Sequence, residues 1–194
     1  MKIDKILITG GFGQLGASLF TNLEDKFQIL RPKREELNFL NKSKILQYLD
    51  IYTPDLIINC AAYTNVEKAE IDRKKCRETN FNAVKKLSEY CIKYNKKLLH
   101  ISTDYVFGND NIRKIPWKEY DNTNPLNYYG KTKEEGEKAI EDILISENRA
   151  KILRTSWLLG PEGNNFLTKM IHLIRHVMKK IFTLHFYKKL NYWN

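Results

Sequence analysis

Tyr129 and Lys133 stand four residues apart in Pro125-Leu126-Asn127-Tyr128-Tyr129-Gly130-Lys131-Thr132-Lys133, at the start of a strongly helical stretch. That spacing places both on one face of a helix. A phenol titrates at about 10 in water, so a tyrosine that exchanges protons near neutrality needs a cation favouring its phenolate, and Lys133 is placed to be one. Taken alone, such a pair is more often a surface pair on a Lys-rich helix than a catalytic one. Ser102-Thr103-Asp104-Tyr105-Val106-Phe107 adds a third element, at the carboxyl end of a predicted parallel strand. Open α/β sheets bind their ligands at that end. Thr103 could hydrogen-bond a substrate carbonyl beside Tyr129, or could simply be a polar residue ending a strand.

A second constellation lies near the N-terminus. Thr9-Gly10-Gly11-Phe12-Gly13-Gln14-Leu15-Gly16 follows the first predicted strand and opens the first predicted helix. Gly10 and Gly13 would let the backbone turn tightly and approach a pyrophosphate seated on the helix N-terminus, and Gly16 would permit close helix–strand packing. The pattern in this context points to a dinucleotide, against the alternative of a plain strand-to-helix turn. After the second strand, Arg31-Pro32-Lys33-Arg34 falls near where such a fold meets the adenosine ribose. Arginine there suits a 2′-phosphate and leans the reading towards NADPH over NADH. The same run also reads as a solvated basic loop.

These residues need a scaffold, and the hydrophobic pattern supplies one. Short runs rich in Ile, Leu and Val at 5–9, 27–30, 55–60, 97–102 and 151–155 read as strands buried on both faces. Between them, 14–23, 43–51, 76–94 and 129–146 carry apolar residues at helical spacing, with Lys and Glu opposite. Alternation of this kind predicts a doubly wound parallel sheet, Rossmann-like, with helices on both faces. The expected division is a dinucleotide-binding domain over 1–170 and an atypical basic tail over 171–194.

Together the motifs resemble the extended short-chain dehydrogenase/reductase family and, within it, the dTDP-4-dehydrorhamnose reductases. The resemblance runs from Lys5 to about Met170. It includes the 59–70 stretch, NCAAYTNVEKAE, together with Arg154-Thr155-Ser156-Trp157 and Gly163-Asn164-Asn165-Phe166. It implies NADPH (or NADH) as cofactor, and reduction of the C4 keto group of dTDP-4-dehydro-L-rhamnose to dTDP-L-rhamnose for cell-surface polysaccharide. Thr103, Tyr129 and Lys133 would be catalytic, with Lys133 also holding the nicotinamide ribose. Gly10, Phe12, Gly13, Gln14, Leu15, Gly16, Arg31, Asn38, Phe39, Ala61, Ala62 and Tyr63 would border the cofactor. Val66, Asp104, Tyr105 and Trp157 match substrate-contacting positions. Asn38 stands where the family usually has an aspartate. Family members continue well past the point where the resemblance fades, so a C-terminally truncated or frame-shifted reading is expected.

Composition narrows the rivals. The 194 residues carry a net charge of +10, and six of those charges (Lys169, Arg175, Lys179, Lys180, Lys188, Lys189) fall after Gly163, where no Asp or Glu occurs. The anionic partner is therefore sought at the glycine loop, and the basic balance marks an unusual tail. No nucleic-acid motif accompanies the lysines, and no run is long enough to span a membrane. Cys60, Cys76 and Cys91 fit neither a disulfide framework nor a CxxC pair, and with no signal-peptide pattern the cytoplasm is expected. His172 and His176 stand alone, so no metal is expected. A homodimer is the assembly that the resemblance implies. Two other readings stay open: a nucleotide-binding regulatory subunit of methionine adenosyltransferase type, and another nucleotide-sugar epimerase or dehydratase.

Overall fold

The computed structural model describes residues 2–108, 113–145, 147–160, 165 and 168–176. The chain divides into two compact units, Met1–Ser156 and Trp157–Asn194. The domain expected over 1–170 thus takes in the whole first unit and the opening of the second.

The first unit is built on a five-stranded sheet of β1 (Lys5–Thr9), β2 (Gln28–Leu30), β3 (Leu56–Asn59), β4 (Lys97–Thr103) and β5 (Ala150–Thr155). The strand order is β2-β1-β3-β4-β5 and every pairing is parallel. Parallel neighbours need long crossovers, and helices fill them: α1 (Gln14–Leu23), α2 (Lys42–Tyr52), α3 (Val66–Ala69), α4 (Arg73–Arg77), α5 (Ala83–Lys93) and α6 (Tyr128–Ile140). Successive side chains on a strand point to opposite faces. Leu7, Ile57 and Leu98 accordingly join one core with Ile45 and Leu49 of α2, Val84 and Leu87 of α5, and Ile140 of α6. Ile6, Ile8 and Ile58 point the other way, where Leu19, Phe20 and Leu23 of α1 pack against them. This is the doubly wound, Rossmann-like layering that the sequence predicts.

Chain direction across the sheet reverses between β1 and β3, which opens a crevice over their carboxyl ends. β2 is a three-residue edge strand, and residues 31–41 turn without adding a strand outside it.

Local chemistry explains several boundaries. The Asn127 side chain accepts the Gly130 N–H at 2.8 Å, so α6 begins at Tyr128, one residue before the expected start. α6 then passes into a π-helical turn, Glu141–Ile145, and residue 146, where the expected helix ends, lies outside the described residues. The helix expected over 76–94 is three pieces: α4, a π-helical turn at Glu78–Asn82, and α5.

In the second unit, Trp157 opens with φ 50° and a largely exposed ring. Residues 168–176 are helical, and the Asn165 side chain accepts the Thr168 N–H at 3.0 Å while donating to the Gly160 carbonyl at 2.9 Å. His172 and His176 lie exposed on this helix. Of the expected tail over 171–194, residues 171–176 are described and are helical. The rest of the basic tail, with Asn164 and Phe166, lies outside the described residues. Among the described residues, no helix is long and apolar enough to cross a membrane, and no group of three or more His, Cys, Asp or Glu is placed to hold a metal.

Candidate active site

The glycine loop closes the carboxyl end of β1. Gly10 has φ +62°, and a Cβ there would lie 2.8 Å from the Ala61 nitrogen and 2.9 Å from its Cα. The left-handed conformation and the close passage of the chain leaving β3 both require glycine. Gly13 is the N-cap of α1 and supplies no side-chain cap to the first turn, which runs through Gln14 and Leu15 to the buried Gly16, and an uncapped helix start of this kind suits an anion. No acidic residue stands in that turn to repel an anion.

Arg31, just past β2, is tied to this loop. Its Nε donates to the Gly11 carbonyl at 2.8 Å. Its guanidinium lies 4.1 Å from the centroid of the exposed Phe12 ring and 4.5 Å from that of Phe20. The expectation of a merely solvated basic loop is not met at Arg31, whereas Lys33 and Arg34 are exposed. Asn38 and Phe39 lie in the turn before α2. The Asn38 side chain accepts the Leu40 N–H, and the Phe39 ring is buried in the core.

The second cluster forms at the carboxyl ends of β3 and β4. Thr103 ends β4, is 6% exposed, accepts the Tyr105 N–H and donates to Asp104. Asp104 also accepts the Ser156 hydroxyl at 2.7 Å. The Tyr105 and Tyr129 rings meet edge to face with centroids 5.7 Å apart. α6 can dock this closely because Gly130 has no side chain: a Cβ there would lie 2.2 Å from the Tyr105 carbonyl oxygen. Tyr129 is buried with Ala69 and Cys76, and Tyr63, Val66 and Tyr128 pack against them. The fold therefore gathers Tyr63, Val66, Thr103, Asp104, Tyr105 and Tyr129 from three parts of the sequence. Ala61 and Ala62 are half-buried where the chain leaves β3.

Burial raises the Tyr129 phenol above its ordinary value, the Thr103 hydroxyl draws it back, and Asp104, Cys76 and Tyr105 push it further up. The phenol is thus protonated at neutral pH, which suits a proton donor, and Lys133, expected to depress it, is not among the groups that move it. Lys133 is 1% exposed, and its amine contacts the Ile101 carbonyl at 2.7 Å and His100 Nε2 at 3.2 Å. Burial brings its pKa from 10.5 down to about 8, against the opposing effects of Glu137, Cys60 and Cys76. Glu137, one turn further along α6, is held by the guanidinium of Arg154 on β5, with the closest contact at 2.7 Å.

Two residues at this centre escape sequence reasoning. His100 and Asn59 are both fully buried and hydrogen-bonded to each other at 2.9 Å, and His100 touches Lys133. The available signal was a histidine inside the otherwise apolar run of β4.

The matched family is the one described as the RmlD substrate binding domain, and its model covers residues 4–182. The chain belongs to that family. It is 40% identical over 174 residues to a dTDP-4-dehydrorhamnose reductase of Aggregatibacter actinomycetemcomitans, covering 89% of this chain and 58% of the relative. The crystal structure of dTDP-4-dehydrorhamnose reductase from Bacillus anthracis in complex with NADP aligns with a TM-score of 0.82 at 35% identity, over 91% of this chain and 61% of that one. The UDP-glucose 4-epimerase of Thermus thermophilus in complex with NAD aligns with a TM-score of 0.72 at 20% identity, over 82% of this chain and 57% of that one, which shows a shared fold. The chain thus spans about 58% of the length of the curated relative that it matches.

Proposed function

We propose that this chain carries the cofactor site and proton donor of an NADPH-dependent reductase acting on the C4 keto group of dTDP-4-dehydro-L-rhamnose to give dTDP-L-rhamnose. What supports the proposal is Thr103 at the end of β4 acting on Tyr129 at the start of α6, with Lys133 one turn further along that helix, in a chain 40% identical to a dTDP-4-dehydrorhamnose reductase. On this reading residues 1–170 form the dinucleotide-binding domain and the remainder a basic tail.

The residues present fit a dinucleotide. The uncapped start of α1 offers amides to the pyrophosphate. The remaining N–H groups of Arg31 suit a 2′-phosphate and so favour NADPH. The Ser102 hydroxyl, buried at the carboxyl end of β4, has no hydrogen-bond partner among the described residues. Ala61, Ala62 and Tyr63 supply the wall beyond β3. Bound there, the nicotinamide supplies the hydride for the carbonyl carbon.

The protein's own part is proton transfer and charge stabilisation. Tyr129 gives its phenolic proton to the carbonyl oxygen as negative charge develops there, and the Thr103 hydroxyl turns its proton from Asp104 to donate a hydrogen bond to the same oxygen. On the family resemblance, the Lys133 ammonium, one turn further along α6, stabilises the phenolate left on Tyr129. Val66, Asp104 and Tyr105 are assigned to the sugar nucleotide. Cys60, Cys76 and Cys91 are all free thiols, and we place the protein in the cytoplasm on that ground.

A dehydratase or epimerase reading is less favoured, because Asp104 is engaged by Thr103 and Ser156 and is followed by Tyr105 in place of a second carboxylate. The test is to mix the chain with NADPH and dTDP-4-dehydro-L-rhamnose, following NADPH absorbance and identifying the product by NMR. Equimolar loss of NADPH and gain of dTDP-L-rhamnose is expected. NADPH binding with no oxidation would favour a regulatory nucleotide-binding role.

A further inference from the structure

Thr9, Asn59 and His100 occupy one row across the sheet: Thr9 pairs with Asn59 and Asn59 with His100 in the register of three adjacent parallel strands. By the alternation along each strand they share the face of Leu7, Ile57 and Leu98, the face covered by α5 and α6. All three polar side chains are almost fully buried, and each finds its partner in the next. Thr9 Oγ1 accepts the Ala61 N–H at 3.3 Å and donates to Asn59 Oδ1 at 2.6 Å, and Asn59 Nδ2 meets His100 Nδ1 at 2.9 Å. His100 Nε2 then faces Lys133 Nζ at 3.2 Å. A polar row through an apolar sheet carries a desolvation cost that only full pairing offsets.

The direction of the hydrogen bonds has a chemical consequence. With Asn59 Oδ1 accepting from Thr9, its amide N–H donates to His100 Nδ1, so a neutral ring must carry its proton on Nε2. An Nε2–H pointed at Lys133 requires an unprotonated amine to accept it. An ammonium has only donors and needs a bare Nε2. That arrangement exists if the ring proton sits on Nδ1 and Asn59 turns its amide, presenting Oδ1 to His100 and Nδ2 to Thr9. The row therefore has two polarities, one matched to each state of Lys133, and the reversed one leaves the Thr9 hydroxyl proton to an acceptor other than Asn59. Between them one proton leaves Lys133 for solvent while the ring keeps a single proton throughout.

We propose that His100 is a positioning residue for Lys133, and that the Thr9–Asn59–His100 row reverses its hydrogen-bond direction when Lys133 gains or loses its proton. The row holds the Lys133 nitrogen in place in both states, so the tyrosine keeps its partner through the proton cycle. The inference rests on the reading of Lys133 as the partner of Tyr129, although its test does not use turnover. Cys60 beyond β3, Cys76 on α4 and Glu137 on α6 act on the same amine, and Tyr129 stands one turn before it. Burial and Lys133 hold His100 well below the ordinary histidine range, so the ring stays singly protonated.

The experiment is ring-nitrogen NMR on the full chain labelled with 15N-histidine, from about pH 6 to about pH 10. The His100 signals are assigned by their loss in His100→Asn. The ring proton is expected on Nδ1 at the acidic end and on Nε2 at the alkaline end, with a midpoint near the Lys133 value of about 8. In Lys133→Met the exchange should vanish and the ring should keep one tautomer. A wild-type ring that keeps one tautomer throughout, or that becomes doubly protonated with a midpoint of about 6.5, would overturn the inference. Because the tautomer exchange is read in the wild-type chain, a poorly folding Lys133→Met does not blunt the test. A tautomer exchange without any reductase activity would remove the proposed function and leave this inference standing, while turnover with a fixed tautomer would do the reverse.

Discussion

The glycine loop and the Lys133 centre lie over the same crevice yet are built by opposite means. The loop is backbone, shaped by what its residues lack: Gly10 has no Cβ to strike Ala61, and Gly13 caps α1 with no side chain. The Lys133 centre is side chain, shaped by pairing: Thr9, Asn59, His100, Lys133, Glu137 and Arg154 each find a partner, and only Arg154 lies appreciably towards the surface. The first should fail when atoms are added, and the second when polar atoms are removed.

Gly10→Val makes the largest expected change. The β-branched side chain must adopt φ +62° and place its Cβ within 3 Å of the Ala61 backbone, a strain of at least about 2 kcal/mol. NADPH binding, followed by fluorescence, should be lost. A Gly10→Val protein that binds NADPH normally would show that the loop is not the seat of the cofactor.

Glu137→Ala tests the other region. It strips the Arg154 guanidinium of its buried carboxylate, and breaking such a pair costs about 3 kcal/mol. Urea unfolding should show that loss, and the Lys133 pKa should fall further below about 8, because Glu137 opposes the effect of burial. An unchanged Lys133 titration would mean that the two groups are not coupled.

The smallest effect is in the pH dependence of stability. Folded Lys133 loses its proton at about 8, whereas in the unfolded chain it holds that proton up to about 10.5. Between those values the unfolded chain binds more protons, so raising pH should stabilise the folded state on this residue's account. Tyr48 and Tyr90, both raised to about 12 by burial, act in the opposite sense at the alkaline end. The contribution of Lys133 is therefore the difference between wild type and Lys133→Met, and that difference should grow in favour of wild type from about pH 8 upwards. A constant difference would place Lys133 in a solvated setting.

The same contrast explains what could be read from the sequence. β1 and α1 occur over the expected residues because their signals are local: an apolar strand, glycines, then a helical period. The Tyr129–Lys133 pair was legible for the same reason. The π-helical turn at Glu78–Asn82 was not, since one extra residue leaves the apolar spacing nearly intact. That turn nevertheless matters to the site, because Asn80 within it accepts the Tyr63 N–H, donates to the Tyr63 carbonyl and reaches Thr132 on α6. The short α3 has too few residues to show a period. The row of Thr9, Asn59 and His100 was invisible because its members are 50 and 41 residues apart and meet only through strand register.

The claim that Tyr129 is the proton donor of a dinucleotide-dependent reduction is tested most directly by Tyr129→Phe, with NADPH affinity and NADPH-dependent reduction of the 4-keto sugar measured in parallel. The substitution keeps the ring against Cys76, Val66 and Tyr105 and removes one hydroxyl. NADPH affinity should stay within about twofold, while the reduction rate falls by at least about 100-fold, the contribution of a general acid. Equal turnover by wild type and Tyr129→Phe would contradict the account.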